Sequence, residues 1–525
     1  MKDANSLKGS KNNSKLSSVS PISAPVSKQI QKKKESAKKI SIVEGSMYSV
    51  MDGFGLRYIA PFALALGANN AQIAFLSSAP SLFGNVSQLY AHKALSKFSR
   101  STLCFIGSLL QALFFLLIIG VGILYFYGGL SSFWSSTLLV VVYVFLVMFG
   151  SFLSPIWSSW MQDVVEKHHL GQYFGLRTRV VSLVLLFCML AAGFLLDYFK
   201  HTHLFLIFAL IFFLAMLGRL TSALLFKWQY EPKLKLEQKK YFSFWSFLKN
   251  LTKTNFGKFV LAYSLIILAT NIASPFFVVY EFKQLSFTYI QYVVLTMVFV
   301  LSGVLFVPAW GKFSDRYGNL RTLKICAYLN PLVALFWFLS FLVFRHSPSW
   351  VFYYLFIIEG MSGFAWAGFN LATNNFIYDS LDRQQSMLGF AYLGLLAGIG
   401  VFIGASLGGL IASFDFIVLS LTPILVVFFI SFIARFIAAF VFLHRVKEVR
   451  CCASFGLKEA EQKLSHTSPE QMLNYMDLSF VVKELRGVEK FGLEKPVEKM
   501  LKTPPDGILK EMKWDFERFS GRRKW

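Results

Sequence analysis

The sequence predicts an all-α polytopic membrane protein of twelve transmembrane helices arranged as two pseudo-symmetric six-helix bundles. Three observations carry that expectation. The 525 residues are 55% hydrophobic and only 15% charged, whereas a soluble protein carries about a quarter charged residues. From Ser101 to Gln162 there is no Asp, Glu, Lys or Arg, and a membrane helix needs about 20 apolar residues, so this stretch holds two, parted at YGGLSS (127–132). The third observation is an internal repeat.

Apolar runs between turn signals place spans near 42–66, 71–92, 101–126, 135–162, 174–197 and 203–228. A second set follows near 257–280, 288–310, 320–344, 350–378, 385–412 and 416–444. The two sets match piecewise. RYIAPFA (57–63) pairs with NIASPFF (271–277), and YFGLR (173–177) pairs with MLGFA (387–391) at the same offset. LGRLTSALLF (217–226) pairs with IARFIAAFVF (433–442) within two residues of that offset. Six spans repeated in one orientation imply a pseudo-two-fold axis along the membrane normal, with a site between the halves.

The expected organisation is a disordered basic N-tail (1–40), an N-terminal bundle (41–228), a linker (229–256), a C-terminal bundle (257–445) and a C-tail with short helices (446–525). In the tail, SPEQMLNYMDLSFVVKELRG (468–487) carries an S-x-x-Q capping box and a closing Gly. The linker EPKLKLEQKKYFSFWSFLKN is basic and ends on an aromatic amphipathic piece suited to a membrane surface.

A net charge of +24 raises nucleic-acid binding, but the charges follow a topological pattern instead. Ten Lys precede residue 41, and basic residues gather in alternate loops: Lys93/Lys97/Arg100, Lys167/Arg177/Arg179, residues 227–258 and Lys312/Arg316/Arg321/Lys324. By the positive-inside rule both termini are cytoplasmic, in a multi-pass protein of the cell membrane. No nucleic-acid partner is expected. No hydrophobic segment precedes residue 40, so no cleavable signal is expected. Cys104, Cys188 and Cys326 lie in apolar runs, and Cys451–Cys452 is a candidate for lipidation.

No G-x-x-x-x-G-K-[ST], H-E-x-x-H, G-x-S-x-G or C-x-x-C pattern occurs, so neither an ATPase engine nor an enzyme is expected, and no cofactor. His168–His169 and His201-Thr-His203 fall in loops and are poor metal candidates.

Ionisable residues inside the spans are more informative, because each costs about 2.5–3.5 kcal/mol at the centre of a membrane helix on insertion scales. Arg219 and Arg435 are matched by the repeat, lie near span ends and read as structural, their side chains extending to the interface. Asp52, Arg57 and Glu359 have no matched charge, which favours function over scaffold. Asp52 and Glu359 each lie about ten residues, roughly 15 Å, inside a span and are candidate proton carriers. Each also has a structural reading, as a hydrogen bond to a neighbouring helix. Tyr48 precedes Asp52 by one turn, and Arg57 is placed to pair with an acid or hold an anionic substrate. In the tenth span Trp366, Asn370, Asn374 and Tyr378 form one stripe, and Trp160 matches Asn374 in the repeat.

The stretch WGKFSDRYGNLR (310–321) resembles the G-x-x-x-D-R-x-G-R-R loop of the major facilitator superfamily, through Gly311, Asp315, Arg316, Gly318 and Arg321, between spans eight and nine. The resemblance covers roughly residues 41–446 and includes the six-plus-six plan. The corresponding loop between spans two and three, YAHKALSKFSR (90–100), is basic but lacks Asp and Gly. The resemblance implies a cytoplasmic latch at Asp315, made while that side is closed. It also implies a cavity lined by spans 1, 4, 7 and 10, which makes Trp157, Trp160, Gln162, Asn370 and Asn374 candidate lining residues beside Trp366. Helix packing with amide hydrogen bonds is the competing reading of that set. The fifth span lacks the Gly-Pro of the family's drug antiporters.

The function expected is a secondary active transporter moving a small solute of unknown class by alternating access, proton-coupled and monomeric. Two alternatives remain at this level: a non-transporting membrane receptor or scaffold on the same fold, and an ATP-independent lipid flippase.

Overall fold

The computed structural model describes residues 24–166, 170–232, 244–381, 383–414 and 422–450. The helix expected at 468–487 lies outside them. The N-terminal half comprises α1 (Ala24–Phe54), a 3-10 turn (Leu56–Tyr58), α2 (Ile59–Ala65), α3 (Asn70–Gln88), α4 (Ala91–Leu95), α5 (Arg100–Phe126), α6 (Ser132–Val164), α7 (Leu170–Phe199) and α8 (Leu204–Trp228). The short α9 (Phe244–Lys249) lies in the linker. The C-terminal half comprises α10 (Asn255–Ala273), α11 (Phe276–Val279), a π-turn (Tyr280–Gln284), α12 (Tyr289–Tyr317), α13 (Asn319–His346), α14 (Pro348–Ser380), α15 (Arg383–Ala412) and α16 (Pro423–Ile437).

Ten helices among the described residues are long and apolar enough to cross a membrane. The first two expected spans are present as helices but are less apolar. Lysines lead α1, and serine, glutamine and asparagine dilute α3. Residues 24–40, expected to be disordered, are already helical as the start of α1. The segment KQIQKKKESAKK is helical because Lys, Gln, Glu and Ala are good helix formers, and Lys38 pairs with Glu35 at 2.6 Å.

The repeat is visible in local structure. Capping boxes start both α3, through Asn69 and Gln72, and α12, through Thr288 and Gln291. The first span of each half is broken, at Gly55 and at Ser274–Pro275; Pro275 sits at its break, and the matched Pro61 lies in the first turn of α2. A second matched pair departs from expectation. Arg219 and Arg435 do not reach an interface: they are 3% and 2% exposed, and each is satisfied inside its own bundle.

The halves meet where α3 packs on α15 and α7 packs on α12. The α10–α15 contact inside the C-terminal half depends on small residues. A Cβ at Gly404 or Gly408 would run into the backbone carbonyls of Leu268 and Ile272. At the end of the molecule away from the termini, a single apolar core runs through both halves, from Phe62, Phe115 and Phe208 to Phe276, Trp337 and Phe428. Toward the terminal end the core divides into two, one around Phe259, Phe369 and Phe376 and one around Cys104, Ile156 and Trp160. The two halves therefore share one apolar core on the far side and keep separate cores on the terminal side.

Candidate functional site

The break at Gly55 builds the centre of the N-terminal half. It turns the chain so that Arg57 reaches back to Asp52, with Nε donating to Oδ1 at 3.1 Å and Nη2 to Oδ2 at 3.3 Å. The unmatched acid and base of the first span thus neutralise each other. The pair is half-buried, and the carbonyl of Arg57 accepts the hydroxyl of Tyr292 from the other half at 3.0 Å. Beside it lies a cavity of about 380 Å³ between α2, α3 and α6, whose polar lining is Ser77, Ser81, Asn85, Tyr143 and Ser151. That volume lies within the range of small-molecule sites, and this lining is uncharged.

Tyr48, one turn before Asp52, is directed toward α8. Its ring lies under the guanidinium of Arg219, 5.1 Å from the centroid. Arg219 belongs to a buried network that sequence reasoning missed. Glu44, 3% exposed, accepts Ser222 Oγ at 2.9 Å and Arg177 Nη2 at 3.3 Å and lies 3.8 Å from Arg219 Nη1, while Arg219 Nε donates to Gln111 at 2.8 Å. Arg177 in turn stacks on Trp157 at 4.3 Å.

In the C-terminal half, Glu359 accepts the indole N–H of Trp337 at 2.9 Å. A second acid, Glu281, sits on the π-turn and is 5% exposed. Arg435 donates to Ser431 and to the carbonyls of Asn330 and Thr270 at 3.0–3.2 Å.

The expected lining residues separate into two groups. Asn370 and Asn374 are exposed along α14 toward the terminal end, and Trp366 is half-buried against Phe369. Gln162 is exposed, with its amide 3.5 Å from Ser158 Oγ. Trp160 instead is fully buried, donates to the carbonyl of Tyr230 at 3.1 Å and packs on Phe226.

The terminal ends carry two related charge clusters. In the C-terminal half Gly318 adopts φ 98°, a conformation open to glycine, and makes the tight turn from α12 to α13. Ser314 donates to Asn319, whose amide donates to Asp379 at 2.5 Å, and Arg450 donates to Asp379 at 2.9 Å. Glu448 accepts the N–H of Leu320 at 2.7 Å, capping α13. Asp315 is largely exposed, 3.8 Å from Arg450, and Arg316 lies over Tyr317 at 5.3 Å. Arg321 is half-buried on the first turn of α13. Gly311 makes no close approach: a Cβ there would be 3.9 Å from Leu371.

The N-terminal half repeats the plan with other residues. Glu231 accepts the N–H groups of Arg100 and Ser101, capping α5, and Arg100 pairs with Asp163 at 2.8 Å. The far-side closure is held by hydrogen bonds between the halves. Asp197 accepts the N–H groups of Tyr289 and Ile290, Asn70 donates to the carbonyl of Ala412, and Lys283 donates to that of Ala68.

With this geometry in place, the comparisons with known proteins decide the family. The family model described as Major Facilitator Superfamily matches residues 45–375 and, again, 259–451. The chain belongs to the major facilitator superfamily. No curated protein matches it. A mutant form of the nucleoside transporter NupG superposes with TM-score 0.59 at 15% identity, over 78% of this chain and 100% of its own. A bacterial homologue of the iron transporter ferroportin, in an inward-facing state, gives 0.58 at 14% identity over 79% and 98%. The POT family transporter PepTSo gives 0.55 at 12% identity over 77% and 96%. At these identities the likeness concerns the fold.

As a superfamily member the chain is a multi-pass membrane protein and a transporter by family. The motif runs through the last two turns of α12, with Gly318 turning the chain into α13 and Arg321 on the first turn of that helix. The acids that organise the two terminal clusters lie at or beyond span ends, where a charge costs little and so does not stand out in the sequence. The repeat carried the signal: Asp163 corresponds to Asp379, and Glu231 to Glu448, at nearly the offset that relates Pro61 to Pro275.

Proposed function

We propose that this chain is a secondary active transporter that moves a small solute by alternating access, coupled to protons, as a monomer with both termini in the cytoplasm. The observation that carries this reading is the asymmetry of closure. The halves share one core and several hydrogen bonds on the far side, and have separate cores on the terminal side. With cytoplasmic termini this is an inward-open arrangement.

In the reading, solute enters between the halves and contacts Arg57, the hydroxyl-lined cavity beside Tyr143, and the stripe of Trp366, Asn370 and Asn374. Asp52 and Glu359 carry the coupling protons, Asp52 exchanging its proton as Arg57 engages and releases it. Tyr48, Trp157 and Gln162 flank the route. Asp315, with Arg316 and Arg321, latches the cytoplasmic side when it closes, and Gly311 then permits the close helix approach that this arrangement leaves unused.

The test begins with purified protein in detergent, screened for solutes that raise its unfolding temperature at two pH values. Nucleosides and iron come first, as the solutes named for proteins of similar fold. Stabilising solutes then enter uptake measurements in liposomes with an imposed proton gradient. Accumulation that collapses with the gradient and is lost in Glu359→Gln supports the reading. Uptake that equilibrates whatever the gradient removes the proton from it, and stabilising solutes that never cross the liposome membrane overturn transport itself.

A further inference from the structure

Arg219 and Arg435 occupy matching places in the repeat, but the two halves surround them differently. Beside Arg219 stands the carboxylate of Glu44 at 3.8 Å, and the amide of Gln111 accepts its Nε–H at 2.8 Å. Arg435 is 2% exposed and donates to neutral acceptors: Ser431 Oγ and the carbonyls of Asn330 and Thr270. No carboxylate among the described residues forms an ion pair with it, and Glu359 is engaged by the indole of Trp337 instead. A buried charge without a counter-charge in contact is costly.

The repeat accounts for the difference. The offset that relates Pro61 to Pro275 sets Lys258 where the N-terminal half has Glu44. The offset that relates the two arginines sets Ala438 where it has Ser222. Gln111 comes eleven residues after Arg100, the first residue of α5, and Asn330 comes eleven residues after Asn319, the first of α13. Asn330 is one methylene shorter than the glutamine it replaces. It is fully buried, and neither its Oδ1 nor its Nδ2 has a partner among the described residues. The hydroxyl of Thr270, a residue 7% exposed, is likewise unpartnered among them. Both residues touch the guanidinium through their carbonyls, so these orphaned groups gather around Arg435, between α10, α13 and α16.

We propose that this place binds a small inorganic anion, of which chloride is the common case, as the counter-ion of Arg435. A guanidinium has five N–H donors, and Arg435 uses three of them. With the amide N–H groups of Asn330 and the hydroxyl of Thr270, the free donors outnumber the acceptors. A positive, donor-rich place repels a metal cation. A water molecule can take the same hydrogen bonds but leaves the guanidinium charge uncompensated. Arg435, Asn330 and Thr270 are all buried inside the bundle, which favours a monatomic ion over a phosphate or a carboxylate. In the N-terminal half an acid of the chain neutralises the arginine, and in the C-terminal half an ion from solution takes its place. None of these residues belongs to the route assigned to the solute, so the site is independent of the transport reading.

The test is thermal unfolding of the full-length protein in detergent, with sodium chloride or bromide replacing sodium gluconate at constant ionic strength. A ligand that binds the folded state raises the unfolding temperature, so the expected result is a saturable rise with either halide. In Asn330→Gln the longer amide reaches Arg435 as Gln111 reaches Arg219, and the halide response should disappear. In Thr270→Val one donor is lost at nearly constant volume, and the halide midpoint should rise severalfold. A parent protein indifferent to halide overturns the proposal, and means that water and the more distant Glu359 suffice for Arg435. A rise that does not saturate, or that is unchanged in both variants, also overturns it, as a general effect of salt. If Asn330→Gln fails to elute as a single monodisperse species, Thr270→Val alone decides between these outcomes. The measurement needs no solute, flux or gradient, so its failure is distinct from failure of transport, which liposome uptake judges.

Discussion

Asp197, at the end of α7, accepts the backbone N–H of Ile290 at 2.7 Å, and with it that of Tyr289 at 3.0 Å. The acceptor belongs to one half of the molecule and the donors to the first turn of α12 in the other. A carboxylate at a helix N-terminus satisfies amides that have no intrahelical partner and complements the helix dipole. Here the cap also fastens the two halves on the far side, where Lys200 stands 3.6 Å from the same carboxylate.

Replacing Asp197 by Ala should therefore loosen that closure. Loss of a charged cap is worth about 1–2 kcal/mol, which is about a five- to thirty-fold shift in a two-state equilibrium. Thiol labelling of Ala74→Cys, a position packed against Gly409 at the far-side contact, should accelerate by that order. Unchanged labelling would mean that the shared apolar core alone holds the far side.

The Asp52–Arg57 pair should be worth more intact than halved. Arg57→Ala leaves a half-buried carboxylate without its partner and should destabilise by about 1–3 kcal/mol in thermal unfolding. Arg57→Gln combined with Asp52→Asn should recover part of that loss. Simple additivity of the two single changes would show that the ion pair contributes nothing beyond its members.

Glu44 should be the most sensitive acid in the protein. Arg219 is buried beside it, and Arg177 reaches it from α7. Glu44→Ala leaves Arg219 uncompensated in the bundle, a change that costs about 3–5 kcal/mol. The measurement is the yield of monodisperse protein and its unfolding temperature. A variant as stable as the parent would show that Gln111 and Ser222 suffice for Arg219.

The two glycines of the signature loop should separate in their effects. Gly318→Ala forces a side chain into φ 98°, at a cost of about 1–3 kcal/mol, and should lower the unfolding temperature. Gly311→Ala meets only Leu371, at an ordinary contact distance of 3.9 Å, and should leave stability unchanged. If the terminal side closes by helix approach at Gly311, the same variant should slow transport, so stability and flux part company at this residue.

Asp315→Asn should likewise leave stability alone. The pair with Arg450 is exposed on both sides and 3.8 Å apart, and such surface pairs contribute about 0–1 kcal/mol. A fall in unfolding temperature equal to that of Gly318→Ala would mean that Asp315 already has a structural role in this state.

The sequence by itself determined the class, the repeat of two related halves and the resemblance of the 310–321 motif. These depend on composition and on short-range patterns: apolar runs long enough for a bilayer, prolines and arginines recurring at one offset, and Gly311-x-x-x-Asp315-Arg316-x-Gly318 in order. It also singled out Asp52, Arg57 and Glu359 as charges without a repeat counterpart. It gave no means of pairing Asp52 with Arg57, since that contact needs the break at Gly55 to fold the chain back. Glu44 stands at the start of the apolar run 42–66, and only the packing of α1, α7 and α8 buries it. Glu281 stands just past the run 257–280, and the π-turn draws it inside. Only the tertiary structure decided these partners, and only it decided which side of the molecule is shut. Pairing and closure depend on contacts between segments far apart in the chain, and the pattern of any one segment does not encode how its neighbour is turned.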